Sequence, residues 1–273
     1  MRLVKPAWAK GIVRGLGAGV LVLALSGCFQ YTALQHQAAD PTTRPWWCES
    51  TGDGGGHAAH HYMGQTKGML SWEDCLTLSA NFDQALDYAR QYPSLGVAET
   101  AGMHRLVNYA TGMGTHNAFL GSFDPTDPSF DPLDPMFPGT ALDDVFDPNK
   151  PEFLQYDGNG SDAKLVGMSW YVRTDNGMPP AGFAGNNDWW HTHELLCFSN
   201  SNFRVSGEGL TDEQCAAQAG TNLHLGNYFM IHAWIVPGWN HEPDVFVGHH
   251  PCLLATGPAA CQEPGAPSRT RTP

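Results

Sequence analysis

Leu25-Ser26-Gly27-Cys28 decides where the rest of this chain must fold, and so what its other cysteines do. Arg2, Lys5, Lys10 and Arg14 make a basic start, and Gly15 to Leu25 is an uncharged apolar run. That order is the order of a secretory signal peptide, and the apolar run is too short to span a bilayer. A cysteine directly after the small-residue site makes it a lipobox. The predicted mature chain begins at Cys28, with its thiol carrying diacylglycerol and its amine open to acylation. Two or three acyl chains anchor stably where one does not. Cys28 is therefore the lipidation site, and the expected location is extracytoplasmic, with the membrane as partner through that lipid.

In an oxidising compartment the remaining thiols pair. Besides Cys28 there are six: Cys48, Cys75, Cys197, Cys215, Cys252 and Cys261. Sequence proximity favours Cys48–Cys75, Cys197–Cys215 and Cys252–Cys261. A cysteine metal site is disfavoured because no CxxC pair occurs. Removing residues 1–27 takes away four positive and no negative charges, so the net charge moves from −13 to −17. A surface this acidic argues against nucleic acid as a partner.

The organisation expected is a signal peptide at 1–27, a flexible tether at 28–45, one β-rich domain at 46–262 and a disordered tail at 263–273. A loop with His57, His60 and His61 follows Gly54-Gly55-Gly56 and reads as solvated. Ser71 to Tyr92 is the best helix. Ser71 suits an N-cap, Glu73 and Asp74 suit the first turn, and Pro93 ends it. Leu78, Phe82, Ala85, Leu86 and Ala89 form a core-packing stripe. Five Asp-Pro pairs between 123 and 151 read as an extended surface loop, since proline holds the preceding residue extended. From Lys164 the period changes to two. Leu165–Val172, His191–Phe198 and Tyr228–Val236 are predicted strands, with Val166, Met168, Trp170 and Val172 on one face of the first.

Histidines concentrate on those strands. Residues two apart in a strand point the same way, so His191 and His193 present two imidazoles as a chelate for Zn, Cu, Fe, Mn or Ni. Glu194 adjoins them as a supporting residue or further ligand. His232 shares a face with Met230 and Trp234, where a buried ring needs a partner, either a metal or a hydrogen-bonding group. His116 follows Gly112-Met113-Gly114-Thr115, a glycine turn able to deliver its ring to a cavity. The candidate metal ligands are thus His191, His193, His232 and His116. His104, His224, His241, His249 and His250 have weaker support. The sequence holds no GxSxG elbow, P-loop, HExxH or dinucleotide fingerprint. Trp189, Trp190, Trp234 and Trp239 could line a sugar or lipid pocket, although core packing is their commoner use.

Gly185, five residues, then His191-Thr192-His193 resembles the first half of the first cupin motif. The position of the cupin glutamate holds Cys197 or Phe198, so the match ends at the histidine pair. The resemblance implies a β-barrel with a metal. More broadly, Gly112-Met113-Gly114-Thr115-His116, Phe146-Asp147-Pro148, Leu165-Val166-Gly167, Gly182 to His193 and Met230 to Trp234 resemble a family of uncharacterised exported actinobacterial proteins and lipoproteins. That resemblance implies that these segments share one domain, and it implies no activity.

The fold expected is mainly β (α+β): a cupin-like barrel or β-sandwich with one long helix near its N-terminus. Two function classes remain open. One is a metalloenzyme with an open coordination position, cupin-like in character. The other is a non-catalytic envelope module, whose histidines and tryptophans are core or line a small-ligand pocket.

Overall fold

Residues 45–49, 68–121, 140–240, 245–255 and 257–258 are described in a computed structural model of the chain. The signal peptide and lipobox, the histidine loop at 57–61, most of the Asp-Pro segment, His241, Cys261 and the tail lie outside them.

The helical stripe forms α1 (Trp72–Ala89). Ser71 caps it, its hydroxyl accepting from the Asp74 N–H at 3.0 Å. Cys75, Leu78, Phe82, Ala85, Leu86 and Ala89 are all buried along one face. Cys48 is bonded to Cys75, with Cα atoms 5.4 Å apart, which ties the preceding segment onto the helix. A short helix, α2 (Leu95–Thr100), follows.

That helical face covers a five-stranded antiparallel sheet. Its strands are β1 (His104–Ala110), β2 (Gly114–Ala118), β3 (Phe153–Tyr156), β4 (Leu165–Arg173) and, after an excursion, β8 (Tyr228–Ala233). They are ordered β1-β2-β3-β4-β8. Met168, Trp170 and Val172 of β4 and Phe229 and Ile231 of β8 pack with α1 in the main core. Val166 joins Trp234, Val247 and Leu253 in a separate cluster. The reason is a register irregularity between Gln155 and Tyr156, which breaks the two-residue period predicted for β4 at its start.

The excursion between β4 and β8 builds a second layer. It contains β5 (Leu195–Ser199), β6 (Val205–Glu208), α3 (Asp212–Ala217) and β7 (Gly220–His224). The three strands form a sheet ordered β6-β5-β7. Cys197 and Cys215 are bonded, Cα atoms 5.6 Å apart, joining β5 to α3. Cys252 is also in a disulfide. These bonds fit an oxidising, extracytoplasmic compartment. A small ladder of β9 (Leu253–Leu254) and β10 (Gly257–Pro258) completes the described elements.

The architecture is mainly β, two antiparallel sheets with few helices, and consistent with a sandwich. The expected alternative, a cupin-like barrel, is corrected: among the described residues neither sheet closes on itself, because β1 and β8 are the outermost strands of the large sheet and are not paired with each other. The predicted strand at His191–Phe198 is also shorter than expected, beginning at Leu195. No described helix is long and apolar enough to cross a membrane.

Candidate functional site

The face of the large sheet turned away from α1 carries the histidines. Gly112 and Gly114 hold φ of +80° and +69°, so the chain reverses tightly from β1 into β2. A Cβ on Gly114 would stand 2.5 Å from the Tyr156 carbonyl oxygen, so only glycine lets β2 approach β3 this closely. The hairpin places His116 opposite Gln155. His232 lies on β8 opposite Ser169 of β4. Between them Gly167 leaves room: a Cβ there would stand 2.6 Å from Gln155 Oε1 and would also strike the Trp234 ring.

His191 arrives by a different route. The loop before it is held by Asp188, whose Oδ2 accepts from the Phe183 N–H at 2.8 Å and from Trp190 Nε1 at 3.2 Å. Trp190 is sunk in the core against Phe146. His191 then exchanges two backbone hydrogen bonds with Met230, at 2.9 and 2.8 Å, and so extends the sheet beyond β8. His193, two residues on, meets the carboxylate of Glu208 from β6, Nδ1 to Oε1 at 2.7 Å.

The four predicted rings come together although three separate chain segments supply them. Centroids are 5.3 Å apart for His116–His232, 5.2 Å for His232–His191 and 5.1 Å for His191–His193. All four residues are buried. Several ring nitrogens have close partners. His193 Nδ1 faces Glu208, His232 Nε2 lies 3.1 Å from Met230 Sδ, and His116 Nε2 lies 3.0 Å from Gln155 Nε2. As the side chains stand, no group of three or more His, Cys, Asp or Glu among the described residues has its ligand atoms gathered to hold an ion.

The carboxylate that meets His193 is that of Glu208, and the adjacent Glu194 is exposed. Both His193 and Glu194 precede the start of β5 at Leu195, so the alternation of a regular strand does not govern which way they face. Sequence reasoning also missed Gln155. Its signal was a lone amide within Phe153-Leu154-Gln155-Tyr156, a strand whose four residues are all buried. The other described histidines lie elsewhere. His250 is buried, its Nε2 3.0 Å from the Trp239 carbonyl and its Nδ1 accepting from the Cys252 N–H. His249 and His104 both have pKa values lowered by burial. His224 is exposed. Trp190 and Trp234 are core residues, the latter donating to the Val247 carbonyl at 2.8 Å.

Known protein families, curated proteins and solved structures offer no match to this chain.

Besides Asp188, a second buried carboxyl lies outside the histidine group. Glu152 accepts from the Tyr171 N–H at 2.9 Å. Burial pushes its pKa well above the carboxylate range, and Asp143 and Asp147 push the same way. Next to the histidines, Tyr171 stacks on Tyr228 and packs on Phe153, which in turn packs on His116.

Proposed function

We propose that His116, His191, His193 and His232 form a divalent-metal centre in an exported, lipid-anchored protein. The observation that carries this is the spacing of four buried rings. A nitrogen–metal bond of about 2.0–2.1 Å, with the ring centre about 1.1 Å beyond the nitrogen, puts tetrahedral neighbours' centroids roughly 5.2 Å apart. Successive rings have that separation, 5.1 to 5.3 Å.

The surroundings support the same reading. A ligating histidine usually donates its other N–H to a carboxylate, carbonyl or similar acceptor, which fixes the tautomer and directs the second lone pair at the ion. Glu208 does this for His193 and the Met230 sulfur for His232. For His116 the facing group is the Gln155 amide, whose Oε1 has no hydrogen-bond partner among the described residues. Turning that amide over, which exchanges two groups of similar size, brings Oε1 to the His116 Nε2–H and gives it a donor. Three nitrogens would leave a position open to water or substrate, and four would make a closed, structural centre. The donor set suits Zn, Cu, Fe, Mn or Ni.

The test is elemental analysis of the full chain purified without a histidine tag, alongside the double variant His191→Ala, His193→Ala. The expected result is bound transition metal in the parent and its loss, with a lower melting temperature, in the variant. Unchanged metal content and melting temperature would overturn the reading. A His116→Ala variant separates a three-nitrogen from a four-nitrogen site, since only the latter loses much of its affinity.

A further inference from the structure

Where the two sheets face each other they do not meet completely. A cavity of about 50 Å3 remains, lined by Val107, Phe153 and Met230 from the large sheet side and by Phe198 and Leu223 from the small one. Its other walls are also aliphatic or aromatic, and the exceptions are His116 and His193. The gap lies within a core cluster of buried residues. Protein interiors tolerate few voids larger than a water, and each one forfeits packing energy. Water is poorly suited to this one, because a water needs two to four polar partners and all but a few of the lining side chains are apolar.

The aromatic part of the wall is held at a cost. Phe203 has φ of +50°, in the left-handed region that a bulky side chain rarely adopts. This conformation lets its ring stack on Phe198 at 4.7 Å, on the cavity side of β5. Strain of that kind persists where the surroundings impose it, and it gathers at ligand sites. The turn that carries Phe203 is clamped from the other sheet by His104, whose Nε2 lies 3.0 Å from the Asn202 carbonyl.

We infer that this cavity binds a free apolar molecule of the size of a diatomic gas, held against the rings of His116 and His193. The size follows from the volume: an apolar cavity of about 150 Å3 takes benzene or xenon, and this one is about a third of that. The class follows from the wall, which offers dispersion contacts almost throughout, its only polar side chains being the two imidazoles and Tyr171. Binding depends on the cavity alone. Only the idea that the bound molecule reacts there rests on the metal reading, and it would make the substrate a small apolar gas such as dioxygen.

The experiment uses the full chain, stripped of metal by a chelator, with xenon as the probe. Methyl and imidazole-nitrogen NMR spectra are recorded under rising xenon pressure. Saturable shifts are expected in the methyls of Leu106 and Leu223 and in the ring nitrogens of His116 and His193, with His224 unmoved. A Leu223→Phe variant, which fills the space, should bind xenon at least tenfold more weakly, and benzene should give no saturable shift at these residues. Absence of saturable shifts there in the unmodified chain would overturn the inference, whether or not the variant folds. So would benzene binding as tightly as xenon. Because the protein is metal-free, a failed metal analysis and a failed xenon titration have separate meanings.

Discussion

Replacing Glu208 by glutamine removes a charge from beside His193 and changes almost nothing else. The carboxylate oxygen stands 2.7 Å from Nδ1, and its side chain is 40% exposed while that of His193 is 10% exposed. With this much solvent access, the pair by itself is worth roughly 0.2–1 kcal/mol to folding. If His193 binds a metal through its other nitrogen, the effect on the ion is larger. Carboxylates that orient a ligating histidine are typically worth 10–100-fold in metal affinity, about 1.4–2.7 kcal/mol. The two magnitudes separate a supporting role from a merely structural one. In competition against a chromophoric chelator, Glu208→Gln should weaken zinc binding by about tenfold, because the amide still accepts the N–H. Glu208→Ala should reach the upper end of that range. Melting of the metal-free proteins should differ by no more than that contact's own small share. Zinc affinity unchanged in both variants, or a loss confined to metal-free stability, would refute the argument that Glu208 acts through a metal ligand.

Three further outcomes are expected. Loop-closure entropy gives about 3.5 kcal/mol for Cys48–Cys75, with a separation of 27, and about 3.2 kcal/mol for Cys197–Cys215, with a separation of 18; denaturant unfolding of the paired serine variants should show losses of that order, and a change well under 1 kcal/mol would contradict it. Glu152 has a folded-state pKa raised by burial above its ordinary value of 4.5, so the folded state keeps a proton that the unfolded state releases. Its stabilising contribution is therefore complete below that ordinary value and is lost as the pH climbs through the folded-state value. Glu152→Gln should flatten this decline and be the more stable protein at neutral pH, and parallel stability–pH curves would rule the account out. Cys28→Ala should abolish incorporation of a palmitate analogue and release the chain from membranes, whereas continued labelling would exclude lipidation at that residue.

Much of the site is legible in the order of the residues alone. Local patterns carry local information: Ser71 with Glu73 and Asp74 marks the start of α1, Gly112 and Gly114 mark the hairpin that delivers His116, and alternation along β8 puts His232 with Met230. The nearest-neighbour pairing of Cys48 with Cys75 and Cys197 with Cys215 follows the same logic, because short loops close most readily. What sequence did not determine was which long-range neighbour each group meets. Whether strands close a barrel or stop as open sheets depends on pairing between their ends, and no period along the chain records it. Glu208 faces His193 because β6 pairs with β5, fifteen residues of chain and one disulfide-tied layer later, while Glu194, adjacent in sequence, turns outward. Gln155 reaches His116 across a strand pair, and the cavity belongs to neither sheet alone. Periodicity fixes the direction of a side chain relative to its own strand, and only the packing of one layer on another decides what lies in that direction.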